Sequence, residues 1–248
     1  MARNTGFNKN WRKWFLNDVV KAIETYSMIK EGAGVCVALS GGKDSTTLLY
    51  ILYLLTRYSH LNFNLSALHI KTDDYNTALL GEFCSELEIP YYESLLRKDE
   101  QQNNDKPCYI CSRLKRGAIS EILEEKGIQT VAYGHHADDI AETFFMNIVQ
   151  NRKFGSFSPV VSVEGSGMTM IRPLIYLEEK EIQKIHNYFG LPLLDHSCSY
   201  EDLNLRAVYK NGVKELNDLL KTEGFSKKMV NALENIDLTN IWPEMKKG

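Results

Sequence analysis

The sequence lacks the features that mark several large classes of protein. Its longest uninterrupted apolar stretch runs only from Leu48 to Leu55, whereas roughly 20 apolar residues are needed to cross a bilayer. The amino-terminal residues have no apolar core of the signal-peptide type. We therefore expect a cytoplasmic protein that has no membrane contact.

Charge of one sign is also lacking, since 29 basic and 32 acidic residues leave a net charge of -3. This balance gives no overall attraction to nucleic acid, although it permits a local basic face. The rest of the composition, 44% hydrophobic and 25% charged, is that of an ordinary globular protein able to bury a core.

Cysteines are few: five in 248 residues, too few for a disulfide scaffold and odd in number. In the reducing cytosol, cysteines tend to be buried, catalytic or metal-binding rather than paired. Cys36 lies inside an apolar strand and Cys84 lies on an apolar helix face. Both are therefore predicted to be core residues.

What the sequence does contain is a regular alternation of strands and helices. This pattern predicts right-handed βαβ units and a parallel sheet with helices on both faces. Residues 151–171, rich in Gly and Ser, are predicted to be a long connection. Strands are predicted at residues 35–39, 65–70, 91–95 and 129–133. Helices are predicted at residues 9–30, 46–57, 77–87, 109–126, 137–150, 177–189, 204–220 and 226–236.

A glycine-containing loop, SGGKDS at residues 40–45, stands between the first strand and the next helix. Its glycines let the backbone approach an anion, at which successive N–H groups and the helix amino terminus then point. A Walker A loop is excluded because Ala38 and Asp44 stand where that motif requires Gly and Ser or Thr. The loop therefore predicts a phosphate site of a different type.

A second polar cluster, GHHADD at residues 134–139, follows a later strand. Ligands of such folds bind at the carboxyl ends of the strands, so this cluster should lie near the glycine loop. Asp44, Asp138 and Asp139 are candidates to bind Mg²⁺ or to organise water. For the aspartate pair, the alternative is a charge that complements the helix dipole. Glu142, one turn later, is predicted to be a charge on the helix surface.

Three further cysteines are candidates for a metal site. Cys108 and Cys111 form a C-x-x-C where a loop meets a helix, which places two sulfurs close enough to chelate one metal or cluster. Cys198 lies in a later loop, two residues from His196. From the residues alone, these cysteines fit a 4Fe–4S cluster with one open iron, zinc completed by His196, or three unconnected thiols.

Five segments together resemble the tRNA 2-thiocytidine synthetases, which are PP-loop ATP pyrophosphatases with the signature SGGxDS. The segments are VALSGGKDSTTLL, CYICSRLKRGAI, YGHHADDIAETFFMNIV, MIRPLIYLEEKEI and CSYEDLNLR. This resemblance covers most of the chain. It implies an α/β fold, a parallel-sheet PP-loop domain similar to the adenine nucleotide α-hydrolases and Rossmann-like folds. Residues 1–248 would form one domain, with an amino-terminal helix at 1–31, the core at 32–200 and carboxyl-terminal helices at 201–248.

The resemblance also implies a function, ATP-dependent thiolation of a cytidine in the tRNA anticodon loop. The C2 oxygen would be adenylated with release of pyrophosphate, and sulfur held on a 4Fe–4S cluster would then replace it. The implied cluster ligands are Cys108, Cys111 and Cys198. Family members usually carry a second C-x-x-C at the third ligand, and Asp195 stands where its first cysteine would be. This departure leaves Cys198 as the only cysteine there.

The expected site residues follow from these motifs and this resemblance. Lys43, Asp44 and Asp138 are the expected catalytic residues. The expected ATP contacts are Ser40, Gly41, Gly42, Lys43, Asp44, Ser45, Gly134 and His135. The expected RNA contacts are Arg113, Arg116, Arg152, Lys153 and Arg206.

The expected ligands and partners are ATP, Mg²⁺, the cluster, tRNA and a sulfur donor such as a cysteine desulfurase. The apolar amino-terminal helix offers an interface for a homodimer. Two alternative functions stay open at this point. One is a PP-loop ligase that uses no sulfur, and the other is a nucleotide-binding protein whose cysteines hold structural zinc.

Overall fold

The computed structural model describes residues 8–72, 75–96, 107–163, 165–194 and 205–236, with the backbone alone for 107–110. The strands are β1 (Gly34–Ala38), β2 (Asn64–Lys71), β3 (Tyr91–Leu95), β4 (Thr130–Ala132), β5 (Val160–Ser162) and β6 (Thr169–Ile171). The helices are α1 (Asn17–Thr25), α2 (Lys43–Tyr58), α3 (Ala78–Glu86), α4 (Pro107–Glu125), α5 (Ala137–Met146), α6 (Glu179–Phe189), α7 (Leu205–Leu220) and α8 (Phe225–Glu234). A π-helical turn, Arg12–Leu16, precedes α1, and another, Asn147–Asn151, extends α5.

The strands form one sheet in the order β3-β2-β1-β4-β6-β5. All neighbouring pairs are parallel except β5 and β6. Val37 of β1 lies opposite Ala67 of β2 on one side and Ala132 of β4 on the other. The chain runs outward from β1 through β2 to β3 and then returns to β4 on the other side of β1. The strand order therefore reverses between β1 and β4, which is where ligands bind in open α/β sheets.

Helices cover both faces of the sheet, because successive side chains of a strand point to opposite faces. On one face, Val35 and Val37 pack in a large core with α1, α2 and α6. On the other face, Cys36 packs in a second core with Ile119 and Leu123 of α4. The predicted βαβ architecture is confirmed by this arrangement.

The prediction for residues 151–171 was wrong, because this segment contains β5 and β6. Gly165 and Gly167, which suggested a connection, form the turn of the β5–β6 hairpin, and both have positive φ. The predicted helix at 9–30 ends earlier, at Thr25, since Ser27 adopts a left-handed conformation with φ 47°. In both cases the turn residues mark the boundary of an element that the apolar pattern alone does not define.

The amino-terminal helical segment uses its apolar face within the chain. Trp11, Phe15, Val19 and Ile23 are all buried in the large core. The apolar surface on which the expected homodimer rested is therefore already covered, and the dimer itself stays a prediction. In the described part of the chain, every helix is too short or too polar to cross a membrane.

Candidate active site

The glycine loop lies at the point where the strand order reverses, immediately after β1. The Ser45 hydroxyl accepts a hydrogen bond from the Ser40 backbone N–H at 3.1 Å and donates to the Gly42 carbonyl at 3.0 Å. The Ser40 and Ser45 hydroxyl oxygens are 2.9 Å apart. Gly42 is the extended residue before α2, and no side chain caps this helix. The loop is thus held by its own serines, and the first N–H groups of α2 stay available to an anion.

Glycine is required at two positions around this loop. Gly41 has φ +86°, and a Cβ there would lie 2.5 Å from Leu194 Cδ1. A Cβ on Gly134 would lie 2.9 Å from the carbonyl carbon of Asp44. The end of β4 therefore contacts the first turn of α2 backbone against backbone. This contact places the predicted clusters 40–45 and 134–139 side by side.

Lys43, the first residue of α2, is held by two carboxylates. Its Nζ is 2.8 Å from Asp44 Oδ1 and 2.8 Å from Glu179 Oε1. Burial disfavours the ammonium, but the two carboxylates outweigh it and raise the pKa of Lys43. Glu179 Oε1 also accepts from Lys210 of α7 at 2.8 Å. Lysine at this site is therefore a fixed cation, positioned by a glutamate that the sequence analysis did not identify.

His136 lies just beyond β4 and is only 4% exposed. Its Nδ1 is 3.5 Å from Asp138 Oδ2, and its Nε2 is 3.5 Å from Asp139 Oδ2 and 4.0 Å from Asp44 Oδ1. Burial disfavours the imidazolium, yet these carboxylates outweigh it and raise the pKa of His136. The three aspartates predicted from the sequence thus converge on one histidine, whose protonated form they favour.

Both oxygens of Asp138 have protein partners. Oδ2 accepts from the Glu179 backbone N–H at 2.7 Å, and Oδ1 accepts from the Ser226 hydroxyl of α8 at 2.7 Å. Burial opposes ionisation, but His136 and these donors outweigh it and lower the pKa of Asp138 to about 2. Asp138 therefore joins α5 to α6 and α8, and its predicted catalytic role stays a prediction.

His135, the preceding residue, faces a different environment. Its ring stacks on Tyr133 at 5.9 Å between centroids and lies 5.2 Å from the Phe157 ring. Arg172 donates from Nε to Nδ1 of His135 at 3.2 Å. Burial lowers the pKa of His135 to about 4. This histidine is therefore neutral at pH 7, with Nδ1 as the acceptor.

Glu142 and Arg206 form an ion pair between α5 and α7. Glu142, predicted to lie on the helix surface, is only 4% exposed, and burial raises its pKa. Arg206 of α7 lies 2.6 Å from Asp139 Oδ1 and 3.4 Å from Glu142 Oε2. The prediction for Glu142 was wrong because the sequence does not show that α7 covers this face of α5.

The cysteines divide as predicted where the structure describes them. Cys36 and Cys84 are fully buried, and burial raises the pKa of each thiol to about 12, so the assignment to the core is confirmed. Cys111 is half-buried in the second turn of α4, three residues after Cys108, whose side chain lies outside the described residues. Cys198 and His196 also lie outside them. No three His, Cys, Asp or Glu side chains that the structure describes are arranged to hold a metal ion.

The five predicted RNA contacts fall into two groups. Arg113 and Arg116 on α4 and Arg152 and Lys153 after α5 are exposed. Arg206 instead has its guanidinium paired with buried carboxylates. The structure therefore keeps four of these side chains on the surface, and their contact with RNA stays a prediction.

The fold and the loop define the class of protein. The glycine loop after β1 and the cluster after β4 are the parts of a PP-loop site, and the family described as "PP-loop domain" matches residues 15–213. The match covers the sheet and both polar clusters. The chain therefore carries a PP-loop domain, as the sequence predicted.

Relatives narrow this class to a family. The tRNA-cytidine(32) 2-sulfurtransferase of Psychrobacter sp. is 32% identical over 220 residues, which are 85% of this chain and 59% of that protein. The enzyme of the same name from Pseudomonas syringae pv. syringae is 31% identical over 231 residues, 89% of this chain and 83% of that protein. The chain belongs to the tRNA-cytidine(32) 2-sulfurtransferase family, a family of transferases, and so the predicted resemblance is confirmed.

A solved structure supports the fold. The U34-tRNA thiolase NcsA from Methanococcus maripaludis, determined with its 4Fe–4S cluster, has a TM-score of 0.74 and 22% identity to this chain. The alignment covers 99% of this chain and 85% of that one. The predicted α/β PP-loop fold is therefore confirmed.

Proposed function

We propose that this protein uses ATP to activate the C2 carbonyl of a cytidine in the tRNA anticodon loop and then replaces that oxygen with sulfur. The observation that carries the proposal is the junction of residues 40–45 with residues 134–139 at the reversal point of the sheet, in a chain of this family. Free N–H groups, a fixed lysine and a carboxylate cluster meet there.

The phosphates of ATP would lie on the N–H groups that open α2. In adenylation, the C2 oxygen of cytidine forms a bond to the α-phosphorus, and the bond from that phosphorus to the bridging oxygen of the β-phosphate breaks. Pyrophosphate leaves with the electron pair. In the second half of the reaction, sulfide forms a bond to C2, the bond from C2 to the adenylated oxygen breaks, and AMP leaves with that oxygen. Lys43, already held as a cation by Asp44 and Glu179, and the helix N–H groups would offset the negative charge on the phosphates.

Mg²⁺ would join the site together with the phosphates. Proteins bind this ion through one or two carboxylates and substrate oxygens, with water completing the shell. Asp44 suits that role best, because its carboxylate is about one-third exposed even though Oδ1 pairs with Lys43, while Asp138 and Asp139 are more buried and are engaged by Ser226 and Arg206. His136 would keep the buried carboxylates compensated while this charge rearranges.

The positions of the cysteines that the structure describes support a cluster at the predicted ligands. Cys111 is accessible near the start of α4, and Cys108 precedes it by less than one turn, whereas Cys36 and Cys84 are sealed in the cores. Cys108 and Cys111 would hold a 4Fe–4S cluster together with Cys198. When bound, the cluster supplies an iron that holds sulfur for delivery to C2. A sulfur donor such as a cysteine desulfurase, acting in the cytoplasm, would load it.

The test begins with anaerobic purification, in which iron, labile sulfide and visible absorption are measured. Thiolation of tRNA is then assayed with ATP, Mg²⁺ and sulfide. Cys111→Ala should abolish thiolation and leave ATP binding unchanged, whereas the matched control Cys84→Ala, in the core, should still thiolate. If Cys111→Ala thiolated as well as wild type, the assignment of Cys111 as a cluster ligand would be wrong. If wild type released pyrophosphate from ATP but did not thiolate tRNA, the ligase that uses no sulfur would be favoured. Zinc in place of iron would favour the nucleotide-binding alternative.

A further inference from the structure

An aromatic ring stands exposed on the turn that follows α5. Phe154 is 61% exposed, although it packs edge-on against the buried Phe144, with ring centroids 5.2 Å apart and planes at 82°. An edge-to-face contact fixes the orientation of a ring while leaving one of its faces open. Phe154 is therefore presented to the surface in a defined orientation.

The turn that carries this ring is built by specific hydrogen bonds. Arg152 adopts the left-handed conformation with φ 53°, and the Lys153 N–H donates to the Asn147 carbonyl at 3.0 Å. The Asn147 side-chain amide donates to the Gly155 carbonyl at 3.0 Å. A left-handed non-glycine residue is costly and is kept only where its surroundings hold it. The turn is thus pre-organised, which lowers the entropic cost of binding through it.

In sequence, the charged residues next to Phe154 are of one sign. Arg152 and Lys153 are exposed, and within the described residues neither has an ion-pair partner. From Thr143 to Val163 the chain carries no Asp or Glu. An exposed ring beside two free cations, with no nearby carboxylate in sequence, complements a polyanion that carries flat bases.

The segment after Phe154 leads back to the strand ends. The Ser156 hydroxyl donates to the Ile140 carbonyl at 3.0 Å, and Phe157 contacts His135. Residues 154–157 therefore run along α5 towards its amino terminus. Asp138 and Phe144 are six positions apart on that helix, which corresponds to a rise of about 9 Å. Roughly three stacked nucleotides span such a distance.

We infer that Phe154 is a stacking platform for an unpaired base of the RNA loop, a few nucleotides from the cytidine at the active site. Arg152 and Lys153 would contact the adjoining phosphates. Unpaired bases are recognised in this way, by aromatic faces flanked by cations. The inference rests on the proposed function, since it takes the RNA loop as the ligand.

The experiment measures the affinity of the full-length protein for an anticodon stem-loop RNA, which requires neither cluster nor sulfide. Phe154→Ala should weaken binding by about 10-fold or more, because one base–aromatic stack is worth that much. Phe154→Trp should bind as wild type does, and Phe154→Leu should lose as much affinity as Phe154→Ala. The matched control is Val149→Ala, an apolar residue on the same turn that is 62% exposed, which should change nothing.

A series of RNAs, each with an abasic site in place of one loop base, identifies the base that stacks on Phe154. At one position the abasic RNA should bind wild type and Phe154→Ala equally, since the stacked base is already gone. Wild-type affinity of Phe154→Leu would overturn the inference, because an apolar contact would then suffice. It would equally be overturned if Phe154→Ala changed only the oligomeric state, which would assign the ring to a protein interface with Ile148 and Val149.

The two proposals fail in different ways. If the protein thiolates tRNA and Phe154→Ala binds the RNA normally, only the stacking platform is wrong. If wild-type protein binds no tRNA, the proposed function itself is wrong.

Discussion

Two neighbouring histidines at the end of β4 face opposite environments. The His135 side is aromatic and contains the buried Arg172, whose guanidinium donates to the ring. The His136 side consists of three aspartates within 4.0 Å. Burial disfavours the charged form of both rings. His135 remains neutral with a pKa lowered to about 4, while the pKa of His136 is raised.

The difference shows that burial alone does not set the charge of a histidine. What decides is whether the charges that share its pocket are of the opposite sign and close enough to offset the loss of water. Because successive residues of an extended strand point to opposite faces, one dipeptide supplies two adjacent pockets with rings whose pKa values are shifted in opposite directions. A neutral ring can contact a base, while a cationic ring can hold carboxylates in place.

The largest expected effect on stability comes from replacing His136. His136→Phe leaves three carboxylates close together without their central partner, and we expect it to lower the free energy of unfolding by about 3–5 kcal/mol. Urea denaturation at pH 6 measures this loss. The effect should be smaller at pH 9, because a group with a raised pKa loses its stabilising proton as the pH rises through that pKa.

The matched control is His135→Phe, which removes one acceptor from Arg172 and should cost about 1–3 kcal/mol. Equal losses for the two variants would contradict the assignment of a neutral ring to His135 and a protonated ring to His136.

The next effect concerns the pH dependence of stability. His135 has a pKa of about 4 when folded and about 6.5 when unfolded, so acid favours the unfolded chain between these values. This histidine should therefore cost wild type about 3 kcal/mol of stability as the pH falls from 7 to below 4. In His135→Phe that part of the decline should vanish, as followed by urea midpoints across this range. An unchanged pH profile would show that His135 is not buried in its neutral form.

The smallest expected effect on stability comes from removing the hydrogen bond between Ser226 and Asp138. Ser226→Ala removes a hydrogen bond to the ionised Asp138, and we expect a loss of about 1–2 kcal/mol. A double-mutant cycle with Asp138→Asn isolates the pair, since Ser226→Ala should cost clearly less when the carboxylate is absent. If the two losses simply add, Ser226 does not support the carboxylate cluster.

Much of the sheet and the existence of the site could be read from the sequence, since both depend on local patterns. The glycine loop and the cluster at 134–139 each follow a buried apolar strand, and parallel strands bring their carboxyl ends to one edge. The fully buried Cys36 and Cys84 were recognisable in the same way, from apolar neighbours.

What the sequence could not show is which distant charges pair with these clusters. Glu179 reaches Lys43 across 136 positions, and Ser226 reaches Asp138 across 88. Such contacts depend on how α6, α7 and α8 pack, and no local period encodes that packing. A carboxylate at the start of a predicted helix, such as Glu179, was a signal for an amino-terminal charge but not for its partner.

Because Gly134 has no side chain, the segment after β4 lies directly against the backbone at the start of α2. A single methyl group there would sit 2.9–3.1 Å from three backbone atoms of Asp44 and Ser45, so the strand and the helix would have to separate by several tenths of an ångström. A hydrogen bond from an N–H group to a phosphate oxygen survives over a range of only about half an ångström. The contact between Gly134 and the start of α2 therefore tolerates almost no displacement. A Cβ at position 134 would shift α2 by about as much as these hydrogen bonds allow.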